Sequence, residues 1–195
     1  TIFNIVGPIM EAEFQDYSYG YRLNVGDATS DNIFNDWREY YPRFRNKALS
    51  NLRKPEIGYY ICCDIKGFYD NIVHKTLIEQ IRGIVNDPYI FEVIQNFIKL
   101  YSFGETRSTG LPQGPAYSRV LANLYLNDFD KEMARSSSGY LRYVDDLFLF
   151  FETKEEAEAG LNKVVKALHE LGLHLSSDEK KKPEILDATN EERIV

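Results

Sequence analysis

Cysteine is nearly absent from this chain, two residues among 195, and those two, Cys62 and Cys63, are neighbours. Adjacent cysteines in an apolar stretch cannot staple distant segments, which excludes a disulfide framework and fits a reducing compartment. They read as small buried hydrophobes. Histidine is scarce too: His74, His169 and His174 share no metal-ligand spacing, and His74 stands where it can cap a helix. No apolar run is longer than Leu147 to Phe151, which excludes a membrane span. Neither a Gly-Lys-Ser/Thr phosphate loop nor a Gly-x-Ser-x-Gly elbow is present. No signal or transit segment precedes the first amphipathic stretch and the first residue is threonine, so the expectation is a soluble piece of a longer protein.

What is present is enough for one core. With 44% hydrophobic and 27% charged residues, a chain of this size buries roughly 70% of its unfolded surface without a metal or disulfide. The charge sum, 23 basic against 30 acidic residues for a net of −7, argues against a duplex binder. Its distribution argues the other way. From Arg38 to Lys54 six basic residues (Arg38, Arg43, Arg45, Lys47, Arg53, Lys54) face one acid, Glu39, among Tyr40, Tyr41 and Phe44. That is a local footprint of the right sign for phosphates, although a solvated helix face explains it equally. The acids of Glu152–Glu158 and Asp178–Glu192 read as ordinary surface. Trp37 and Tyr40 either stack on bases or pack an amphipathic helix.

Gly7 and Pro8 break the apolar period of the first thirteen residues, predicting a short helix that bends or restarts there. Residues 14–27 read as a loop, and a helical region follows from about Asp31 to Leu52, interrupted near Pro42. Ile57 to Asp64, β-branched and aromatic, predicts a buried strand. Helices are expected at about 73–83 and 88–101, the second with Ile90, Ile94, Phe97 and Tyr101 at helical spacing, then a loop over 102–115. One long helix from about Ala116 to Ala134 turns Leu121, Leu124, Phe129 and Met133 inward. Tyr140–Val144 and Leu147–Glu152 form a hairpin with Asp145 and Asp146 as its tip. Ala157, Leu161, Val164, Leu168 and Leu171, at steps of 4, 3, 4 and 3, make a clean helical stripe that Gly172 ends. Leu173–Leu175 is expected as an edge strand. The economical architecture is α+β, a small antiparallel sheet with helices on one face and no linker.

Asp64 ends a strand that is otherwise uncharged from Ile57 to Cys63, and a carboxylate there is costly to ionise without a cation beside it. Asp145 and Asp146 project from between two equally apolar arms. A random Asp-Asp pair is good turn chemistry. Two such acidic ends in one small sheet, set side by side, bring three like charges within a few ångströms and call for a divalent cation. Two magnesium ions roughly 3.5 to 4 Å apart suit phosphoryl or nucleotidyl transfer, with hard oxygen ligands supplied by two or three carboxylates.

These residues stand in motifs that resemble one family. DIKGFYD (Asp64–Asp70), GLPQG (Gly110–Gly114) running through Ser118 to LANLYL (Leu121–Leu126), YVDD (Tyr143–Asp146), and LGLHL (Leu171–Leu175) followed by Lys180 and Lys181 resemble, in order, four motifs of the reverse transcriptases. SYGYR (Ser18–Arg22) is similar to a bacterial fingers motif. The resemblance covers nearly the whole chain. It implies a polymerase palm with partial helical fingers, one unit over 1–195 with fingers at roughly 1–57 and 75–108 and palm at roughly 58–74 and 109–195. It also implies RNA-directed DNA polymerisation in a bacterial cytoplasm, on an RNA template with a DNA primer or product, deoxynucleoside triphosphates and two Mg2+ ions, with Mn2+ as substitute.

By the same resemblance Asp64 and Asp145 ligate both metals, with Asp146 alongside and the Ile65 carbonyl as a further ligand. Tyr69 is the ring that excludes a ribose 2′-hydroxyl, and Phe68 beside it is core against the nucleotide site. Gln113 bonds the incoming nucleotide, and Gly114 lets backbone approach closely. Lys180 or Lys181 approaches the leaving pyrophosphate or is simply solvated. Ser118 braces or caps its helix, or lies near the template with Arg119. Arg22 either contacts nucleic acid or orders its loop. Arg119 stands where group II intron enzymes usually have proline, a wording closer to retron, abortive-infection and other defence-associated branches. Fingertip strands are expected before residue 1 and a primer grip and thumb after Val195, so the isolated piece is expected to polymerise weakly or not at all. Two other functions compete: a nucleotide cyclase or other palm-type transferase, opposed by GLPQG and Tyr69, and a non-catalytic nucleic-acid-binding module, opposed by the three intact acids.

Overall fold

The structure is a computed structural model that describes residues 2–25, 32–100 and 108–191. At its centre is a four-stranded antiparallel sheet in the order β2-β3-β1-β4, formed by β1 (Tyr59–Asp64), β2 (Gly139–Tyr143), β3 (Asp146–Phe151) and β4 (Glu184–Asp187). β1 lies inside the sheet because it has apolar groups for both faces. Tyr60 packs on one side and Ile61 and Cys63 on the other, the pattern of a doubly covered strand. The segment before Leu23 closes the outer edge of β2. There the Arg142 N–H donates to the Tyr17 carbonyl (2.8 Å), and the Tyr19 N–H donates to the Arg142 carbonyl (2.9 Å).

Ile61, Cys63, Leu147, Leu149 and Phe151 face the larger core. It is completed by α1 (Ile2–Glu11), α4 (His74–Ile84), α5 (Pro88–Leu100), α6 (Ala116–Tyr125), α7 (Asn127–Arg135) and α8 (Lys154–Glu170). On the opposite face Tyr60, Leu141, Phe148 and Phe150 meet Phe44, Ala48 and Leu52 of α2 (Trp37–Leu52). The sheet therefore has helix on both faces, not one, because every second residue of β3 is a large apolar group that needs cover on the α2 side too. A short α3 (Phe68–Asn71) links β1 to α4.

Several elements differ from the periodicity reading. α1 and α2 run unbroken through Pro8 and Pro42. Each ring is exposed and has no N–H to give to the helix ladder, so the apolar side of each helix, packed on the core, holds it in place. The expected 116–134 helix is two helices, α6 and α7, with a break at buried Leu126; Gln80 Nε2 donates to the Tyr125 carbonyl there (3.2 Å). Leu173–Leu175 makes one bridge, Leu175 to Ile65, and the edge strand is β4, inside the acidic stretch read as surface. The expected loop over 102–115 lies outside the described residues as far as 107, as do Asp31, Tyr101 and Glu192.

α8 starts with a reciprocal cap: the Glu156 N–H donates to the Thr153 hydroxyl (3.2 Å) and the Thr153 N–H to the Glu156 carboxylate (3.3 Å). Gly160 lets this helix sit on the sheet, since a Cβ there would stand 2.3 and 2.7 Å from carbons of the buried Phe151 ring. Gly160→Ala gains roughly 1 kcal/mol of helix propensity against about 1–3 kcal/mol of overpacking. The expected net result is a lower urea midpoint; an unchanged or raised midpoint would show that α8 shifts freely.

Candidate active site

The sheet register brings the acids together. Asp64, last residue of β1, is the cross-strand partner of Asp146, first residue of β3, and Asp146 in turn pairs with Tyr143. The two-residue hairpin tip is therefore Val144-Asp145, not Asp145-Asp146. Asp146 belongs to the strand because its pairing with Asp64 continues the ladder. Val144 adopts φ +59°, a conformation that β-branched residues rarely hold without support. Support comes from both sides. Gly20 lies so near that a Cβ on it would be 2.6 Å from Val144 Cγ2, and the Ile65 N–H donates to the Asp145 carbonyl (3.1 Å).

The second wall is the turn after β1. Gly67, at φ +54°, starts α3, and the 108–114 stretch is laid against it: the Leu111 N–H donates to the Tyr69 carbonyl (2.9 Å) and the Gly110 N–H to the Ile72 carbonyl (2.8 Å). His74 belongs to this junction. It is buried with Nε2 2.7 Å from the Gly110 carbonyl, and Val73, not His74, is the cap residue of α4. The result is a pocket of about 390 Å³ lined by Asp64, Ile65, Phe68, Tyr69, Gln113, Gly114, Arg119 and Asp145, all singled out in the sequence, together with Tyr21, Gly67, Val144 and Lys181.

Asp64 is 6% exposed and its Oδ2 accepts from Lys181 Nζ at 2.8 Å, which supplies the cation that its apolar strand demands. Burial, and then the negative charge of Asp64, hold the Asp145 carboxyl above the usual carboxylate range. Lys181, itself largely exposed, is raised by its hydrogen bond to Asp64 and also feels Asp145 and Asp146. One ammonium thus hydrogen-bonds Asp64 and lies within the electrostatic reach of the other two acids. The three carboxylates do not converge as tightly as expected: among the described residues no three acidic, imidazole or thiol groups form a metal-holding cluster, and Asp146 is exposed. The donor set nonetheless fits a hard divalent cation. It offers carboxylate oxygens, an excess of negative charge, and an ammonium occupying one of those oxygens.

The other expected residues divide. Burial raises the Tyr69 phenol, so it stays neutral, and its ring packs against Phe68 at 5.6 Å. Phe68 is 3% exposed, core with one edge on the pocket. Arg119 is stacked over Tyr21 (4.6 Å) and Phe34 (5.5 Å). Ser118 is fully buried in α6 and neither caps it nor reaches the pocket, because it falls on the helix face turned to the core. Arg22 is absorbed by its own loop, donating to Glu11 (2.5 Å) and to the Gln15 and Ser18 carbonyls. Lys180 is exposed with its N–H on Asp178, and its neighbour Lys181 occupies the site. Arg38, Arg43 and Arg45 lie on α2, outside the pocket. Arg43 pairs with Glu39 and stands over Tyr40, Arg38 stands over Trp37, and Trp37 is 59% exposed. α2 touches the strand that leads into the hairpin tip through Tyr41, whose ring is 5.0 Å from Tyr143. Tyr21 and Val144 were missed although each lies inside a quoted motif; Lys181 was named only as the alternative to Lys180.

Known proteins resemble the chain in sequence and in fold. The chain is 31% identical over 134 residues to the group II intron-encoded protein LtrA of Lactococcus lactis subsp. cremoris, covering 65% of this chain and 19% of the relative. It is 24% identical over 221 residues to protein YkfC of Escherichia coli (strain K12), covering 92% and 55%. The chain thus spans about a fifth and about half of these relatives. Its fold is similar to that of telomerase from Candida Tropicalis in complex with a fragment of telomeric RNA (TM-score 0.66, 16% identity, 95% of this chain and 33% of that one) and to the apo telomerase (TM-score 0.62, 19% identity, 95% and 36%). Residues 13–184 match the family described as reverse transcriptase (RNA-dependent DNA polymerase). Because that span embraces every residue lining the pocket, from Tyr21 to Lys181, the chain belongs to the reverse transcriptase family.

Proposed function

We propose that this chain is the catalytic core of an RNA-directed DNA polymerase, with the 390 Å³ pocket as the nucleotide site. The observation that carries the reading is that Asp64 and Asp145 line one pocket together with Tyr69, Gln113 and Lys181. Asp64 and Asp145, with Asp146 beside them, would hold magnesium, for which manganese can substitute. When bound, the metal would neutralise charge on the transferred phosphoryl group and ease deprotonation of the primer hydroxyl. Gln113 hydrogen-bonds the nucleotide, and Lys181, whose side chain lines the same pocket, donates a proton to the departing pyrophosphate. The basic and aromatic surface of α2 and the Arg119 stack offer phosphate and base contacts to template and primer.

The test is primer extension by the full-length protein on an RNA template with magnesium and all four deoxynucleotides. Product complementary to the template supports the reading; no templated product overturns it. Tyr69 is assigned the sugar gate, because a neutral, packed ring leaves no room for one extra oxygen. Tyr69→Ala is expected to improve ribonucleotide use, as the ratio of kcat/KM values against deoxynucleotide, by on the order of 10- to 100-fold. An unchanged ratio removes Tyr69 from that role.

A further inference from the structure

Arg142 sits in β2 two residues before the left-handed Val144, and at 1% exposed it is the largest fully buried side chain among the described residues. A buried guanidinium needs partners for its fork of donors. Two of them fall on Asp130 of α7, Nε to Oδ1 at 2.8 Å and Nη2 to Oδ2 at 2.6 Å. The remaining contacts lead to the site. Nη1 donates to the Val144 carbonyl (2.9 Å) and to Asn123 Oδ1 of α6 (3.0 Å). Asn123 Nδ2 then donates to the Gly20 carbonyl (2.8 Å) and approaches that of Tyr21 (3.3 Å). One side chain therefore ties together the unusual backbone just before Asp145, the glycine packed on that backbone, and the Tyr21 wall of the pocket.

We propose that Arg142 is a positioning residue: through Val144 and Asn123 it sets the orientation of the Asp145 carboxylate relative to Asp64. Asp130 answers the charge and takes two of the donors. The contacts to Val144 and Asn123 are additional and point at the turn. This role rests on the polymerase reading, in which Asp145 holds metal.

Arg142→Lys keeps the charge beside Asp130 and loses the planar fork. Asn123→Ala leaves the ion pair intact and is the milder variant. In the full-length protein, binding of Mn2+ alone, followed by the spectroscopic signal of the free ion, is expected to weaken about fivefold or more in Arg142→Lys and by a smaller factor in Asn123→Ala. Primer extension is expected to show a raised half-saturating magnesium concentration and a lower kcat, with the template–primer Kd unchanged. If either folded variant binds Mn2+ as the native protein does, its loss confined to melting temperature, Arg142 is only structural and the proposal falls. If the native protein binds Mn2+ but copies no template, the polymerase reading fails by itself, and the Mn2+ comparison still decides the role of Arg142.

Discussion

Asp145→Asn abolishes templated primer extension while leaving the protein at least as stable as before: this is the expected result for the substitution that bears most directly on the site. The change is nearly isosteric and removes only the charge. Charge neutralisation by metal on carboxylates contributes several kcal/mol at the transition state, and with a tenfold rate change per 1.36 kcal/mol, losing about 4 kcal/mol means a loss of roughly a thousandfold. Stability moves the other way. Burial and the nearby Asp64 raise the Asp145 carboxyl in the folded state, so above that raised range its ionised form costs the fold free energy. The amide removes that cost. Extension rate and melting temperature measured on the same sample decide the matter. Residual activity near the native level rejects the assignment of Asp145, and a melting point well below native would mean that the loss is unfolding.

The largest effect on stability is expected from Asp130→Ala. Asp130, 2% exposed, accepts from both Arg142 and the Tyr140 hydroxyl (2.6 Å). The Asp130 charge and its hydrogen bonds hold the Arg142 guanidinium above its usual range, against a desolvation that pulls it down. Deleting the acid leaves a buried cation without its partner, which typically costs 3–5 kcal/mol, a large share of the roughly 5–15 kcal/mol that holds a domain folded. Equilibrium urea unfolding should read this as a fall in midpoint with little change in slope. Replacing both partners, Asp130→Leu with Arg142→Met, should restore much of the loss, and the cycle built from the two single variants and the double one isolates their coupling. A loss below about 1 kcal/mol would mean that water reaches Arg142 easily.

Much of this molecule was legible from periodicity. The β1 and β3 strands, α4, α5 and the 157–171 stripe of α8 have one apolar pattern each and lie where that pattern puts them. Asp64 was legible as a candidate because an acid ending an apolar strand is conspicuous, and Asp145 because it stands between two apolar arms. What escaped was decided by partners far away in the chain. Asp130 and Arg142 look like surface residues of a helix and a strand until the fold brings them together, because each charge taken alone argues for solvent. The choice between Lys180 and Lys181 depends on how a turn after Leu175 is wound, which no local pattern encodes. β4 is four residues long and sits among acids, so its apolar Ile185 and Leu186 were too few to register.

The two margins of the sheet have a consequence for the behaviour of the protein at high concentration. An unpaired strand edge is a template on which another molecule can add a strand. Here the backbone of Tyr17 to Tyr19 already takes the N–H and carbonyl of Arg142 in the middle of one margin, and the other is a short strand entered from Pro183 and bearing Glu184 and Asp187. The described sheet thus offers no long flat ladder for seeding amyloid-like assembly, even though its inner strands include the five-residue aromatic and aliphatic run Leu147–Phe151.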